Sequence, residues 1–498
     1  MKKNVLKFIG GGLLVLGLSS CGDSFLETQP TELVSESTLA EAVELNPDLA
    51  VGTIDGIYST MFSFGSGGTG GHDDFGQRAY EVFGDMLSSD MALSNSVYGW
   101  YRASITEMQA TQDFTFTDNF QTWTYYYRQI LNANLAMATL GGQDADPENP
   151  DVRALLGQAL ASRGHSYLML VTFYCDDYNP EGPAVPLYDQ PDASPKAKST
   201  QGEIYAKIES DLTRAIELLD GWSRPSKANI NQPVAKAMLA YAIAQQRSRW
   251  DEVATLANEA RVESGTTLMP ADNSQFGILG GFNNWNNPGW LWGVDLNTDT
   301  GVGLVSWWGQ IDYFSYSYAA VGDSKSMDQG LYESMRPDDI RRNQFFTGAG
   351  VNFLQPLFKQ YDEDRVPFGT STQVKADYHY MRHAELLLLE AEALSKAGDD
   401  ASARSVLHSL VDSRIGDTNY IDTLSGSDLQ DEIYHQTRLE LWGEGRSYLA
   451  MKRNQATIVR GANHLSFVGE PIQHNENRLT FEIPSREIQD NVLINGQN

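Results

Sequence analysis

Two helix pairs with alanine at regular spacing constrain the fold of this chain more than any other feature. In the first pair, residues 234–246 and 253–262 are separated by a short polar segment. In the second, residues 382–397 stop at Gly398, a common residue just after a helix, and residues 401–414 follow. Such pairs are typical of tetratricopeptide-like units, which stack on one another. The sequence therefore predicts a mostly α fold, a right-handed superhelical scaffold of helix pairs with little sheet.

Apolar residues recur with a helical period in three further stretches, at residues 39–62, 152–179 and 204–219. Between residues 265 and 377 this periodicity is weak, and Asn, Gly, Trp and Tyr dominate. We therefore expect an irregular, loop-rich excursion that interrupts the helical frame. Loops carried on a rigid frame are a common place for binding sites.

The N-terminus has the composition of a secretory signal. Lysines are followed by an apolar run of only eleven residues, 8–18, whereas a membrane-spanning helix needs about twenty. Leu18-Ser19-Ser20 directly precedes Cys21, which is the pattern of a bacterial lipobox. We expect residues 1–20 to be removed, Cys21 to carry a lipid, and residues 21–30 to form a tether. The alternative is an ordinary secretory cleavage with Cys21 merely nearby.

Charge limits the partners of this chain. It has 36 Lys and Arg against 65 Asp and Glu, a net charge of −29. A surface this acidic repels nucleic acid and anionic lipid, so we expect no nucleic-acid partner. It is compatible with neutral ligands, of which carbohydrate is the obvious class. The other cysteine, Cys175, would have no disulfide partner once Cys21 is lipidated, and we expect it to be buried.

Several segments resemble motifs of the SusD/RagB family. Residues 382–393, RHAELLLLEAEA, resemble the family's R-x-A-E-x-L-L-x-x-A-E-A helix, and residues 438–446, RLELWGEGR, resemble its E-R-x-x-E-L-x-x-E-G-x-R segment. Thr437 departs from the second motif, where the family often has glutamate. Further segments also fit, namely Phe25-Leu26-Glu27, Asp338-Asp339-Ile340-Arg341, Phe481-Glu482-Ile483-Pro484-Ser485-Arg486-Glu487-Ile488 and the terminal Gln497-Asn498. The ordered set extends over the whole chain.

The resemblance implies a fold of four tetratricopeptide-like units. Residues 31–264 would form an N-terminal helical part, and residues 265–498 a C-terminal part that contains the excursion 265–377. It also implies a lipid-anchored, surface-exposed outer-membrane lipoprotein. Such a protein captures oligosaccharide and hands it to a SusC-like TonB-dependent transporter, its partner. Two alternatives remain, a peptide-capturing lipoprotein of the same architecture and a tetratricopeptide-type scaffold for protein interactions.

We interpret the family motifs as structural. Arg382 and Glu385 are three residues apart on one helix face and are expected to pair. Glu444 and Arg446 flank Gly445, and we expect them to tie the last helices together.

Aromatic residues in the excursion are the first candidates for a ligand site. Trp290 and Trp292 alternate as in a strand and are expected to share a buried face. Trp307 and Trp308 would point to opposite sides of an extended segment, so at least one is expected to face solvent. Trp285 lies among four asparagines that are hard to bury. We predict that Trp285 and at least one of Trp307 and Trp308 stack on glycan.

A second set of candidates lies in or near loops of the N-terminal half. It consists of Asp73, Asp74, Trp100, Tyr101 and Arg102. Aromatic rings offer flat apolar faces to sugar rings, and Asp and Arg side chains can hydrogen-bond hydroxyl groups.

Signals for catalysis or metal binding are weak. His379 and His383 have a spacing that puts two imidazoles on one helix face, but no third ligand or H-E-x-x-H motif accompanies them. Asp73-Asp74 and Asp176-Asp177 lack the spacing of a calcium loop. The glycine-rich residues 65–71 contain a G-x-G-x-x-G pattern after a predicted helix rather than a strand, so we interpret them as a flexible loop. We expect a binding protein rather than an enzyme, without cofactor or metal.

Overall fold

The computed structural model describes residues 36–191, 194–270, 281–313, 316–357 and 376–498. The signal peptide expected at 1–20, the lipidated Cys21, the tether at 21–30 and the Phe25-Leu26-Glu27 motif lie outside the described residues.

Helices form about half of the described structure. They are α1 (Glu36–Leu45), α2 (Asp48–Thr60), α3 (Gln77–Leu87), α4 (Thr117–Thr139), α5 (Pro150–Tyr174), α6 (Gln201–Leu218), α7 (Gln232–Gln245), α8 (Trp250–Glu263), α9 (Trp307–Ile311), α10 (Gln329–Ser334), α11 (His383–Lys396), α12 (Asp400–Val411), α13 (Gly426–Glu440), α14 (Ser447–Arg453) and α15 (Ser485–Asp490). A π-helical turn follows Tyr101 at Arg102–Thr106.

The strands are short and pair two by two in antiparallel fashion. They are β1 (Met91–Leu93), β2 (Pro183–Pro186), β3 (Lys198–Thr200), β4 (Trp290–Val294), β5 (Lys325–Met327), β6 (Tyr378–Arg382), β7 (Thr457–Val459) and β8 (Pro471–Gln473). Strand β1 pairs with β5, β2 with β3, β4 with β6 and β7 with β8. The prediction of a mostly α fold with little sheet is confirmed.

Local sequence signals explain where the helices begin. Thr200 and Glu203 form a reciprocal capping box at the start of α6. The Asn231 side chain accepts a hydrogen bond from the backbone of Val234 in the first turn of α7, where Pro233 needs no hydrogen-bond partner for its nitrogen. The Asp399 carboxylate caps α12. These helices begin within a few residues of the predicted positions.

The helices pack in sequence order. Helix α4 packs on α5, α5 on α6, α6 on α7, α7 on α8, α8 on α11, and α11 on both α12 and α13. This succession is the tetratricopeptide-like scaffold, and Cys175, directly after α5, is buried as expected. The stretch 39–62 is divided into α1 and α2 around Pro47. No helix among the described residues is both long and apolar enough to cross a membrane.

Buried ion pairs join the C-terminal helices to one another. Arg382 is the last residue of β6, and its guanidinium donates to Glu440 at 2.9 Å and to Glu444 at 2.6 Å. The predicted pairing of Arg382 with Glu385 is therefore wrong, because Arg382 lies in a strand just before the helix. Glu385 accepts instead from Arg446. Glu444 and Arg446 thus tie the last helices together, as predicted.

Candidate functional site

The pairing of β1 with β5 brings two distant loops together. Met91 lies opposite Met327 and Leu93 opposite Lys325, so the residues after β1 run beside those before β5. Ser94 N–H donates to the Ser324 carbonyl at 3.0 Å. The two loops carry aromatic residues, and the imidazole ring of His72, directly after the glycine-rich segment 65–71, reaches them.

A cleft of about 370 Å³ lies where these three segments meet. We call it the aromatic cleft, and it is lined by His72, Tyr98, Trp100, Leu304, Tyr316, Ser317, Tyr318 and Val321. Apolar clefts of this size with few polar groups are typical of small-molecule sites.

The rings in the aromatic cleft contact one another in defined geometries. His72 stacks on Trp100 with centroids 4.8 Å apart and planes 19° from parallel. Tyr318 lies 5.6 Å from His72, and its hydroxyl contacts the His72 Nδ1 atom. Tyr98, which is 60% exposed, meets the edge of Tyr318 at 5.9 Å. The partly buried Trp100 and the exposed Tyr98 leave aromatic surface available to a ligand.

Buried polar groups hold the loops of the aromatic cleft in place. The Asp323 carboxylate accepts hydrogen bonds from the backbone N–H groups of Val97, at 2.6 Å, and Tyr98, at 2.9 Å. The Gln310 amide donates to the His72 carbonyl at 2.8 Å and accepts from the Lys325 ammonium at 2.8 Å. Asp323, just before β5, thus anchors the loop after β1, and Gln310 of α9, held by Lys325 of β5, anchors the backbone of His72.

Ionisable groups are buried directly beneath the cleft. Burial, together with the neighbouring carboxylate of Asp118, raises the pKa of Asp73 to about 7. Burial lowers the pKa of Lys325 to about 8, although Asp323 and Asp73 oppose this change. The Lys325 ammonium also lies 4.8 Å from the centre of the Tyr101 ring. We therefore expect the protonation of Asp73 and Lys325 to change near neutral pH.

The structure separates the N-terminal candidates into one residue of the cleft lining, one exposed residue outside that lining, and buried residues. Trp100 lines the aromatic cleft, whereas Tyr101 is buried below it with a positive φ of 65°. Arg102 is exposed and pairs with Glu107 at 3.1 Å. Asp73 is buried.

Asp74 has a structural role. Its carboxylate accepts from the backbone N–H groups of Gly67, at 2.8 Å, and Thr69, at 3.0 Å, and from the Tyr80 hydroxyl. The glycine-rich segment that we interpreted as a flexible loop is thus held by Asp74.

The expectation that Trp307 or Trp308 faces solvent is wrong. Ser306 caps the short helix α9, its hydroxyl accepting from Gly309 N–H, so the two tryptophans lie on a helix and not on an extended segment. Their side chains are only 2% and 0% exposed. They anchor α9, which carries Gln310 to the aromatic cleft. Trp290 and Trp292 are buried as predicted.

Trp285 lies apart from the aromatic cleft. It is partly buried and packs against a separate cluster of Met269, Phe282 and Trp290. Its backbone N–H donates to Asp377, and its carbonyl accepts from Lys227. The structure therefore does not bring Trp285 to the same site as Trp100.

The two candidate metal-ligating histidines do not share a helix face. His379 lies in β6, where burial lowers its pKa to about 3 and its Nε2 atom is 3.1 Å from a Glu444 oxygen. His383 begins α11 and contacts Thr266. Within the ranges that the structure describes, no group of three or more His, Cys, Asp or Glu side chains has an arrangement suited to a metal ion.

Sequence reasoning missed His72, Tyr98, Tyr316 and Tyr318. Their only shared signal is an aromatic or imidazole ring within a Gly- or Ser-rich loop, which occurs elsewhere in the chain. The site becomes visible only once β1 and β5 are known to pair.

Two family models match the chain. A model described as "SusD family" matches residues 356–490, and a SusD-like model described as "Starch-binding associating with outer membrane" matches residues 73–244. No curated protein is significantly similar to the chain.

Solved structures share the fold along nearly their whole length. A SusD-like carbohydrate binding protein from Bacteroides vulgatus has a TM-score of 0.73 at 23% identity, covering 89% of this chain and 96% of its own. A SusD superfamily protein from Bacteroides thetaiotaomicron has a TM-score of 0.71 at 18% identity, and the match covers 91% of this chain and 99% of that protein. A laminarin binding SusD-like protein has a TM-score of 0.62 at 18% identity, and the match covers 90% of this chain and 98% of that protein. With the two family models at both ends of the fold and the motifs in order, the chain belongs to the SusD/RagB family.

Proposed function

We propose that this SusD/RagB protein captures neutral oligosaccharide in the aromatic cleft and hands it to a SusC-like TonB-dependent transporter in the outer membrane. The observation that carries the proposal is the stack of His72 on Trp100 beside Tyr98 and Tyr318. Sugar rings present flat C–H faces, and rigid aromatic side chains bury such faces with little loss of rotamer freedom.

Charge favours a neutral ligand over a polyanion. Among the described residues, no Lys, Arg, Asp or Glu lines the aromatic cleft, and the chain carries a net charge of −29. An anionic polysaccharide would be repelled by that field without a cation in the cleft lining to compensate. The solved relative that binds laminarin supports a glycan of this kind for the family.

The cell-envelope part of the proposal rests on the lipobox before Cys21 and on the outer-membrane description of the matching family model. Lipid on Cys21 would hold the folded domain at the outer membrane, exposed at the cell surface. There the protein would serve nutrient uptake as a binding partner of the transporter rather than as an enzyme.

Calorimetric titration of the purified domain tests the ligand class. Laminarin and amylose fragments represent neutral glycans, and a set of unrelated oligopeptides represents the alternative cargo. We expect a neutral glycan to bind with a dissociation constant of roughly 1 μM to 1 mM, which corresponds to about 4–8 kcal/mol. Trp100→Ala should weaken that binding by about 1–3 kcal/mol, by analogy with the stacking of nucleic-acid bases on aromatic side chains.

Trp222→Ala is the matched control, because Trp222 is also a partly buried tryptophan packed against the core but lies outside the cleft lining. It should bind glycan as the wild type does. Binding of peptide but no glycan would replace the proposal by the peptide-capturing alternative. Binding of neither would favour the protein-interaction scaffold.

Purification from detergent extracts tests the transporter partnership. The wild-type protein should co-purify with a large outer-membrane TonB-dependent transporter. A lipoprotein that always migrates alone would contradict the hand-off.

A further inference from the structure

A second aromatic depression lies on α4, beside the glycine-rich segment. We call it the α4 groove. It encloses about 430 Å³ between α4, α15 and the chain after β2, and its ring-bearing walls are Phe120, Trp123, Tyr127 and Tyr188. None of the residues that line the aromatic cleft takes part in it.

The aromatic walls of the α4 groove are fixed before any ligand arrives. Trp123 and Tyr127 are 4.8 Å apart between centroids, and Tyr188 meets Tyr127 edge-on at 5.7 Å. The Tyr127 hydroxyl donates to the Pro186 carbonyl at 2.8 Å, which locks the ring in place. Preorganised rings bind a flat apolar ligand face at a low entropic cost.

Positively and negatively charged side chains surround these aromatic walls. The exposed Arg486 lies 5.1 Å from the centre of the Phe120 ring and donates no hydrogen bond to another described residue. Arg128 makes one long contact, 3.5 Å to the Gly65 carbonyl. Glu487 and Asp490 also line the groove, so its two cations are balanced by two anions. This lining suits a neutral, hydroxyl-rich ligand better than a polyanion.

The α4 groove and the aromatic cleft are joined by a strip of backbone with small side chains. A Cβ atom on Gly68 would lie 3.3 Å from Thr124 and 3.6 Å from Phe120, which places Gly68 at the groove rim. His72 of the aromatic cleft follows four residues later, and four residues span at most about 15 Å. Gly70, between them, is exposed and has open space above its α-carbon.

We propose that the α4 groove is a second carbohydrate subsite, occupied by the same neutral glycan chain that binds in the aromatic cleft. This inference rests on the proposed function and deepens it, since it assigns the protein to long glycan chains rather than to short oligosaccharides. Two linked contacts on one ligand raise its apparent affinity well above that of either contact alone.

The test measures by calorimetry how tightly the protein binds a trisaccharide and the intact polysaccharide. Both laminarin and amylose are used, each in its short and its long form. Leu131→Arg places a long side chain in the groove, because Leu131 lines it and is 41% exposed. Leu135→Arg is the control, an identical change one turn later on α4 at a 47% exposed position outside the groove lining. Both positions accept a surface side chain, and melting temperatures check that both variants fold.

For the glycan that binds, we expect the wild type to bind the long form at least about tenfold more tightly than the trisaccharide. Leu131→Arg should remove this difference without changing trisaccharide binding, and Leu135→Arg should preserve it. A wild-type preference for the long form that Leu131→Arg leaves intact would overturn the second subsite and leave the aromatic cleft assignment standing. Equal affinity for both lengths would also overturn it, and failure of every glycan to bind would overturn both proposals.

Discussion

Neutralising Glu440 should destabilise the C-terminal half of the protein more than any surface substitution. The Glu440 carboxylate is fully buried and accepts from Arg382 at 2.9 Å, Arg414 at 3.1 Å and Arg341 at 3.3 Å. Burial alone would raise the pKa of Glu440, but Arg414, Arg382 and Arg341 together hold it well below the usual range. Glu440→Gln keeps the shape of the side chain and removes the charge.

The size of the effect follows from what the arginines retain. Arg382 keeps Glu444 and Arg341 keeps Asp339, but Arg414 loses the carboxylate that it contacts. Leaving a buried charge without its partner costs about 3–5 kcal/mol. With an unfolding entropy of roughly 1 kcal/mol/K for a chain of this length, the melting temperature should fall by about 3–5 °C.

Thermal and urea unfolding of Glu440→Gln measure this cost. Asp431→Asn, an exposed charge on the same helix α13, is the control and should lie within about 0.5 kcal/mol of the wild type. Because the folded pKa of Glu440 is depressed, its contribution is present above the unfolded pKa of about 4.5 and is lost at lower pH. The difference between wild type and Glu440→Gln should therefore shrink below about pH 4. Equal stability of the two variants at pH 7 would refute the reasoning.

Three further predictions concern the site and its anchor. Trp307→Ala should cost about 3–5 kcal/mol of folding stability because the ring is buried. Trp100→Ala should melt at nearly the temperature of the wild type. Calorimetry of thermal unfolding distinguishes the two variants. The raised pKa of Asp73 means that the folded state retains a proton up to about pH 7, so stability should fall as pH rises from about 4 to 7. Asp73→Asn should flatten that part of the profile of melting temperature against pH, and an unchanged slope would contradict it. Cys21→Ala should abolish incorporation of a fatty-acid analogue, and equal labelling of both proteins would contradict lipidation.

Local signals in the sequence predict the helical frame well, because alanine spacing, Pro233 and the Asp399 cap act within one or two turns. They predict the site less well. Ser306 is a helix-capping residue directly before Trp307 and Trp308, and such a cap predicts a helix on which neither ring needs to be exposed.

The rest of the site depends on contacts between distant residues. The loop of Tyr98 and Trp100 meets that of Tyr318 because β1 pairs with β5, more than two hundred residues later, and no periodicity in either strand encodes that pairing. His72 is held beside them by Gln310 of α9. The same limit explains Arg382, whose partners lie on α13 and in the turn after it rather than one turn along its own helix.

A crystal structure of the protein with a neutral oligosaccharide tests the central claim most directly. Our account predicts a sugar ring in the aromatic cleft, stacked on Trp100 beside Tyr98 and Tyr318. A bound glycan that lies elsewhere on the protein, with the aromatic cleft open to solvent, would contradict the account.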